Sequence, residues 1–466
     1  MATDLRISGG DVVTPDGRRR ADVLVSDGKI SGIVDPSVEV ADVARTIDAT
    51  GKVVLPGMVD PHVHTREPGF THKEDIITTG QAAAAGGVTT IFGMPNLTPP
   101  TVTAKLLDEV FELYAERSIV DYNHNPAATV VEEIPLMAAR GICAYKVFMV
   151  VDTGRTYPHP AGTGMHNHGD LLRMMDTIRP TGLPFMIHPH DQALMDYIEG
   201  EIIGGGENTP AGYAKAYAAR EGVIWDTAVD VLIRLAEAAD CHIHLMHMQT
   251  RRSVDAVRRA KARGIKVTCE VNHWTLFLGK WSDVEELGPY ALSYWLPEDA
   301  QAAVWEGLVD GTIDMLSSDH GPHTREEKEV GWTEMWKAHT GTPGIQYQLP
   351  LLLEAVNQGR LTLERAVELT ATRPAEVFGL AGMKGGIAVG LDADLAIVDL
   401  DKSWTITNDA DLSRCGWTPY DGRTVGVSVE RTVLRGTEIY ADGVVSGQPG
   451  FGRKVTPTNV PVAAAS

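Results

Sequence analysis

The sequence predicts an α/β chain: a (β/α)8 TIM-like barrel with a flanking β-sandwich built from both termini. Three observations carry this. Eight apolar strand candidates alternate with helical stretches through the middle of the chain, and alternation of that kind implies parallel strands. Both ends instead read as short β pieces broken by turn dipeptides. The 466 residues exceed a barrel of about 250 and leave room for a second unit.

The eight strand candidates are 53–60, 88–94, 119–125, 142–149, 183–188, 242–247, 265–271 and 313–319. Between them, stretches such as Glu74 to Ala85, Ala104 to Arg117 and Val254 to Arg263 have helical spacing and good helix formers. A doubly wound open sheet is the alternative. At the N-terminus, Gly9-Gly10, Pro15-Asp16-Gly17 and Asp27-Gly28 mark turns; towards the C-terminus, 393–399 and 436–443 repeat the pattern. The expected division is therefore a discontinuous β-sandwich of residues 1–55 plus 384–466 around a barrel of residues 56–383. The segment from Val460 to Ser466 reads as a loose tail.

Composition excludes some functions. A net charge of −21 argues against general binding of nucleic acid or an anionic membrane. No apolar run approaches the roughly 20 residues of a membrane span, and the N-terminus lacks a signal-peptide pattern. Cys143, Cys241, Cys269 and Cys415 are widely spaced, and three sit in apolar runs, so reduced thiols and a cytoplasmic protein are expected.

The first strand candidate ends in His62-Val63-His64. Residues i and i+2 of an extended chain point the same way, so both imidazoles can address one metal. Arg66 is expected to continue the alternation. Alone, the pair could simply be polar residues leaving a strand. Strand 5, however, ends in His188, strand 6 in His244 and His247, and strand 8 in Asp319, while strand 4 carries Lys146 inside an apolar run. These side chains collect at C-terminal strand ends, the barrel face where catalytic groups gather. Each has a structural alternative: a satisfied core histidine, a helix N-cap for Asp319, a snorkelling or salt-bridged lysine for Lys146. A buried Lys146 would have a pKa falling towards neutrality, and its free amine could take up carbon dioxide as a carbamate able to bridge two metals.

From Gly57-Met58-Val59-Asp60-Pro61-His62-Val63-His64 to Trp417-Thr418-Pro419-Tyr420-Asp421-Gly422 the chain resembles the amidohydrolase superfamily, in its dihydroorotase, allantoinase and hydantoinase branch. The resemblance implies two divalent metals, usually zinc, sharing a carbamylated lysine and a bridging hydroxide. By position, His62, His64, Lys146 and Asp319 match the ligands of one metal, and Lys146, His188 and His247 those of the other. His244 is expected to stand behind them. Asp319 would then act as the base that takes the hydroxide proton and delivers it to the leaving nitrogen of a cyclic amide.

Positions matching Arg66, Asn96 and His323 hold the substrate carboxylate in the dihydroorotase group, which implies a carboxylate-bearing substrate. Arg66 could alternatively pair with Glu67 or Glu74, and Asn96 could serve turn chemistry before Pro99-Pro100. The chain departs from the family at Asn272-His273-Trp274-Thr275 and Trp295-Leu296-Pro297-Glu298, where Trp274 and Trp295 predict a bulkier, more apolar wall. Allantoinase or hydantoinase/dihydropyrimidinase activity is thus the alternative, and a non-catalytic assembly protein of the same fold a further one. The loop 152–169 is expected to be a lid, with Tyr157 a donor to the developing oxyanion, or else a solvated loop. Relatives imply a homo-oligomer, dimer or tetramer.

Overall fold

A computed structural model describes residues 3–150, 161–291 and 298–458. Tyr157, His159, Trp295 and the tail from Val460 lie outside the described residues, and so do the expectations placed on them.

The chain opens with β1 (Leu5–Thr14), β2 (Gly17–Ser26), β3 (Lys29–Val34), β4 (Thr46–Asp48) and β5 (Val53–Pro56). Eight strands follow, each at a predicted place: β6 (Met58–Val63), β7 (Val88–Gly93), β8 (Asp121–His124), β9 (Tyr145–Phe148), β10 (Phe185–His188), β11 (Ile243–Leu245), β12 (Val267–Asn272) and β13 (Met315–Ser317). The chain closes with β14 (Leu395–Asp399), a small pair β15 (Trp404–Thr405) and β16 (Thr424–Val425), then β17 (Ser428–Leu434), β18 (Thr437–Ala441) and β19 (Val444–Val445).

The central strands are parallel throughout. β6, β7 and β8 form one run, β9 to β13 another, each strand beside its sequence neighbour. Parallel bridges Ala127–Lys146 and Val63–His320 link the two runs at either side. The helices between start where local chemistry says they should. Asp75, Thr103 and Thr250 each accept a backbone N–H of the first turn of Ile76–Ala85, Ala104–Arg117 and Arg251–Ala262. The apolar residues of these helices and the outer residues of the strands form one continuous core.

Both termini contribute to a single nine-stranded sheet, ordered β19-β18-β17-β14-β5-β1-β2-β3 with β4 beside β1. The N-terminal strands meet the C-terminal ones where β5 pairs antiparallel with β14.

The first strand candidate requires correction. Residues 53–60 are not one strand: the chain breaks at Gly57, with β5 in the terminal sheet and β6 in the central one. A Cβ on Gly57 would lie 2.3 Å from Thr89 Oγ1, and the Gly57 N–H bonds Asp394 O at 2.8 Å. Glycine is thus needed because the Thr89 side chain fills the space a Cβ would take where the chain changes sheets. An unbroken apolar run hides this, since both halves are buried.

A buried ion cluster fastens the two parts together. Lys384, 1% exposed, stands 2.6 Å from Asp121 at the start of β8, 2.6 Å from Asp394 and 2.9 Å from Asp392. The carboxylates outweigh burial and hold the ammonium's pKa above its usual value. The three aspartates are close enough to suggest a cation site, and the lysine is the cation they hold. Lys384→Met should cost about 3–5 kcal/mol, because it strands buried carboxylates. Chemical denaturation reads this directly, and an unchanged midpoint would refute the cluster's role.

Candidate active site

β6 delivers His62 from within the strand and His64 just past its end. Asp60, fully buried, orders this edge: it accepts the N–H of His62 and of Ser318, each at 3.2 Å, and Gln348 Nε2 at 2.8 Å. One carboxylate therefore ties β6 to the segment carrying Asp319. Burial raises its pKa against those bonds.

At the centre is the Asp319 carboxylate. Its Oδ1 lies 3.0 Å from His62 Nε2 and 3.2 Å from His64 Nε2, and its Oδ2 3.7 Å from His247 Nδ1. Burial opposes ionisation, but His62 and His247 hold the carboxyl well below its usual pKa. His62 Nδ1 donates to Glu270 Oε1 at 2.6 Å. Burial works against its charge, yet Asp319 and Glu270 raise the imidazole to about 9. Burial lowers His64 to about 3 and His247 to about 4, so both are neutral near pH 7.

The donor set fits a metal. His64 Nδ1 lies 2.7 Å from the amide oxygen of Asn96, and His247 Nδ1 2.6 Å from that of Asn272. An amide oxygen only accepts, so both imidazoles carry their proton on Nδ1 and keep a lone pair on Nε2. The His64 lone pair then faces a carboxylate oxygen, an arrangement that calls for a cation. His62, His64 and Asp319 offer ligand atoms within 4.8 Å of one another, and so do His62, His247 and Glu270.

Lys146, on β9, is fully buried. Its Nζ touches Met246 Sδ and lies 4.3 Å from the centre of the Phe148 ring. No carboxylate of the described residues is within ion-pair distance, so neither the snorkelling nor the salt-bridged alternative describes it. Burial pulls its pKa down to about 7 against the pull of Glu270 and Asp319. His188 ends β10 with its ring 4.8 Å from that of His247. His244 stands behind, bonding Thr268 at 3.0 Å and Glu270 at 3.3 Å.

Arg66 needs a second correction. It does not continue the alternation of His62 and His64, because β6 ends at Val63 and Arg66 has φ 59°. The left-handed turn brings its guanidinium back inside, 3% exposed, with Nη2 3.2 Å from His323 Nε2 and Nε donating to Pro322 O at 3.2 Å. It pairs with neither expected glutamate: Glu67 meets Arg117 at 3.0 Å, and Glu74 meets His320 at 3.3 Å. The Asn96 amide oxygen accepts from His64, and its backbone sits in the turn closed by Leu97 N–H to Pro95 O at 2.8 Å. Trp274 is buried, its ring 6.0 Å from that of His247, so the apolar wall stands beside the histidines.

Sequence reading missed Glu270, Asn272 and Asp60. Glu270 had a signal, the same one as Lys146: a charged residue inside an apolar strand, Val267-Thr268-Cys269-Glu270-Val271. Asn272 had none, since its partner His247 comes from another segment, and Asp60 had none, since two of its three partners, Ser318 and Gln348, do as well.

The model of the amidohydrolase family matches residues 53–439. The chain is 33% identical over 465 residues to an L-hydantoinase of Paenarthrobacter aurescens, covering 98% of both chains. It is 35% identical over 440 residues to a dihydroorotase of Halobacterium salinarum, covering 92% of this chain and 98% of that one. Among solved structures, the L-hydantoinase (dihydropyrimidinase) from Arthrobacter aurescens superposes with a TM-score of 0.92 at 31% identity, covering 97% of this chain and all of the other.

The raised His62 pKa implies a pH effect in the metal-stripped protein. A base stabilised in its charged form contributes stability that is complete below about pH 6.5 and is lost as pH rises through about 9. Thermal melts of chelator-treated protein should therefore fall between pH 7 and 10, and less so for His62→Asn. A flat profile would exclude the charged His62.

Proposed function

The chain belongs to the amidohydrolase family, and from that premise we propose that it is a metal-dependent hydrolase opening the C–N bond of a cyclic amide or ureide whose ring bears a carboxylate, as dihydroorotate does. The observation that carries the substrate class is Arg66. A buried guanidinium with no carboxylate of the described residues in ion-pair range, facing His323, is a receptor for an anion.

In this reading residues 56–383 form a closed barrel that holds the site, flanked by a β-sandwich of residues 1–55 and 384–466. The linking bridges Ala127–Lys146 and Val63–His320 support closure. His62, His64, Lys146 and Asp319 would hold one divalent metal, zinc by preference, and Lys146, His188 and His247 a second. When bound, the pair supplies Lewis acidity that makes water nucleophilic at neutral pH and polarises the ring carbonyl.

The protein's own groups do the rest. Lys146, as free amine near pH 7, adds carbon dioxide at Nζ and releases one proton, giving the anionic carbamate that two cations require. Glu270 and Asn272 hold His62 and His247 by Nδ1, and the Nε2 of His62 faces Asp319. Asp319, an acceptor at rest, takes the proton of the attacking water and hands it to the ring nitrogen as the C–N bond breaks, leaving a carboxylate and an amine or ureide nitrogen. Arg66, Asn96 and His323 orient the ring through its carboxylate. Among the described residues no helix is long and apolar enough to cross a membrane, and the four free, buried cysteines suit a reducing cytoplasm. A homo-oligomer is the expected assembly.

One observation favours a second reading. Trp274 beside His247 would suit an apolar substituent, as on a hydantoin, in place of a carboxylate. A panel of dihydroorotate, allantoin, dihydrouracil and hydantoins separates the two. Arg66→Ala should raise KM for dihydroorotate about 10- to 100-fold, the worth of a charge-assisted bond, and barely move it for dihydrouracil. An equal effect on both would exclude carboxylate binding there.

Lys146→Ala should lose metal and nearly all turnover, with part of both restored by a short carboxylic acid. Full activity without the acid would rule out the carbamate.

A further inference from the structure

Behind the Arg66–His323 pair lie the buried Lys73 and the half-buried Glu327 and His339, with no part yet in the chemistry. Lys73, 2% exposed, donates from Nζ to Glu327 Oε1 at 2.7 Å and lies 3.3 Å from His323 Nδ1. Glu327 Oε2 lies 3.3 Å from the same Nδ1. His339 Nδ1 stands 3.5 Å from Lys73 Nζ. His323, Glu327 and His339 are near enough together to suggest a cation site, but the Lys73 ammonium already stands among them.

We propose that Lys73 and Glu327 are positioning residues that let His323 exchange one neutral tautomer for the other, so that it changes from an acceptor of Arg66 into a donor to a substrate carboxylate. The inference rests on the carboxylate-binding reading above.

Arginine only donates. With Arg66 Nη2 3.2 Å from His323 Nε2, that nitrogen must accept, and the ring proton sits on Nδ1. Glu327 Oε2 is there to receive it. A carboxylate bound by both Arg66 and His323 needs the opposite, a proton on Nε2. Nδ1 then becomes an acceptor, and Lys73 supplies an N–H to it. No net proton is taken up: one leaves Nδ1 and one arrives at Nε2, by exchange with water. With a single partner on Nδ1, one tautomer would be locked; with a donor and an acceptor side by side, both are satisfied.

The supporting groups are themselves fixed. Glu327 is the third residue of the helix Arg325–Glu329 and accepts the N–H of Thr324 at 3.0 Å in a capping box. The His323 carbonyl takes Trp417 Nε1 at 2.7 Å. Burial and the neighbouring Arg66 keep His323 neutral, with a pKa well below its usual value, so tautomers rather than charge states are at issue.

The test uses the metal-loaded protein labelled with 15N-histidine, and orotate, the unsaturated acidic ring. His323 should carry its proton on Nδ1 without orotate and on Nε2 with it, seen as an exchange of the two nitrogen shifts. Lys73→Met should abolish the exchange. It should also lower the preference for dihydroorotate over dihydrouracil about tenfold, mainly through KM, the worth of one hydrogen bond to a charged group. Lys73→Arg, which keeps a donor, should restore most of it. If dihydroorotate is preferred and orotate binds but the shifts do not exchange in the unsubstituted protein, this proposal falls and the carboxylate reading stands. If dihydroorotate is not preferred to dihydrouracil, both fall.

Discussion

The contact on which most of this structure turns is that between the Asp319 carboxylate and the imidazoles of His62, His64 and His247. Each group is buried, and burial alone would discharge every one of them. They remain compatible because an acid and several bases share one small volume. Around them the supports follow the same rule: Glu270 for His62, Asn96 for His64, Asn272 for His247. Three separate strand ends, those of β6, β11 and β13, must converge for this contact to exist. A parallel arrangement in sequence order brings them to one face, and the Asp60 bonds to His62 and Ser318 lock two of them in register.

Polarity is graded across that face. In the proposed reading the His/Asp group would hold positive charge and the Arg66–His323 group a substrate anion, and only the two residues from His64 to Arg66 separate them. A substrate with a polarised carbonyl at one end and an anion at the other matches such a field without large rearrangement of the protein. Trp274 adds an apolar boundary on the His247 side. If the Arg66–His323 pair does take a substrate anion, specificity is a balance between that receptor and the wall.

The local backbone carries a cost at the same places. Arg66, His247 and Asp319 all have positive φ, at 59°, 56° and 43°. None is glycine, and an L residue held there is strained by about 1–3 kcal/mol. All three follow the last residue of a parallel strand. The left-handed step turns the side chain inward where an extended chain would carry it past the site. At β11 and β13 it falls within the expected run, and these strands stop at Leu245 and Ser317.

Much was legible in the sequence because it depends on patterns internal to a segment. Apolar runs alternating with helical spacing gave all eight central strands, and turn dipeptides marked both ends as β-rich. Histidines at strand ends marked which face would be polar, and Lys146 drew notice because an ammonium within an apolar run is costly wherever it lies. Tertiary structure decided whatever depends on two segments meeting. The run 53–60 contains nothing to reveal that Gly57 hands the chain from one sheet to another, since the reason is the side chain of Thr89. Glu270 and Asn272 gained roles from histidines on neighbouring strands. Arg66 was readable as a cation, but its direction came from one left-handed residue, and its lack of a carboxylate partner among the described residues from where Glu67 and Glu74 found theirs. Sequence determines which residues must be buried and which cannot be buried alone; only the packed chain decides which of them satisfy one another.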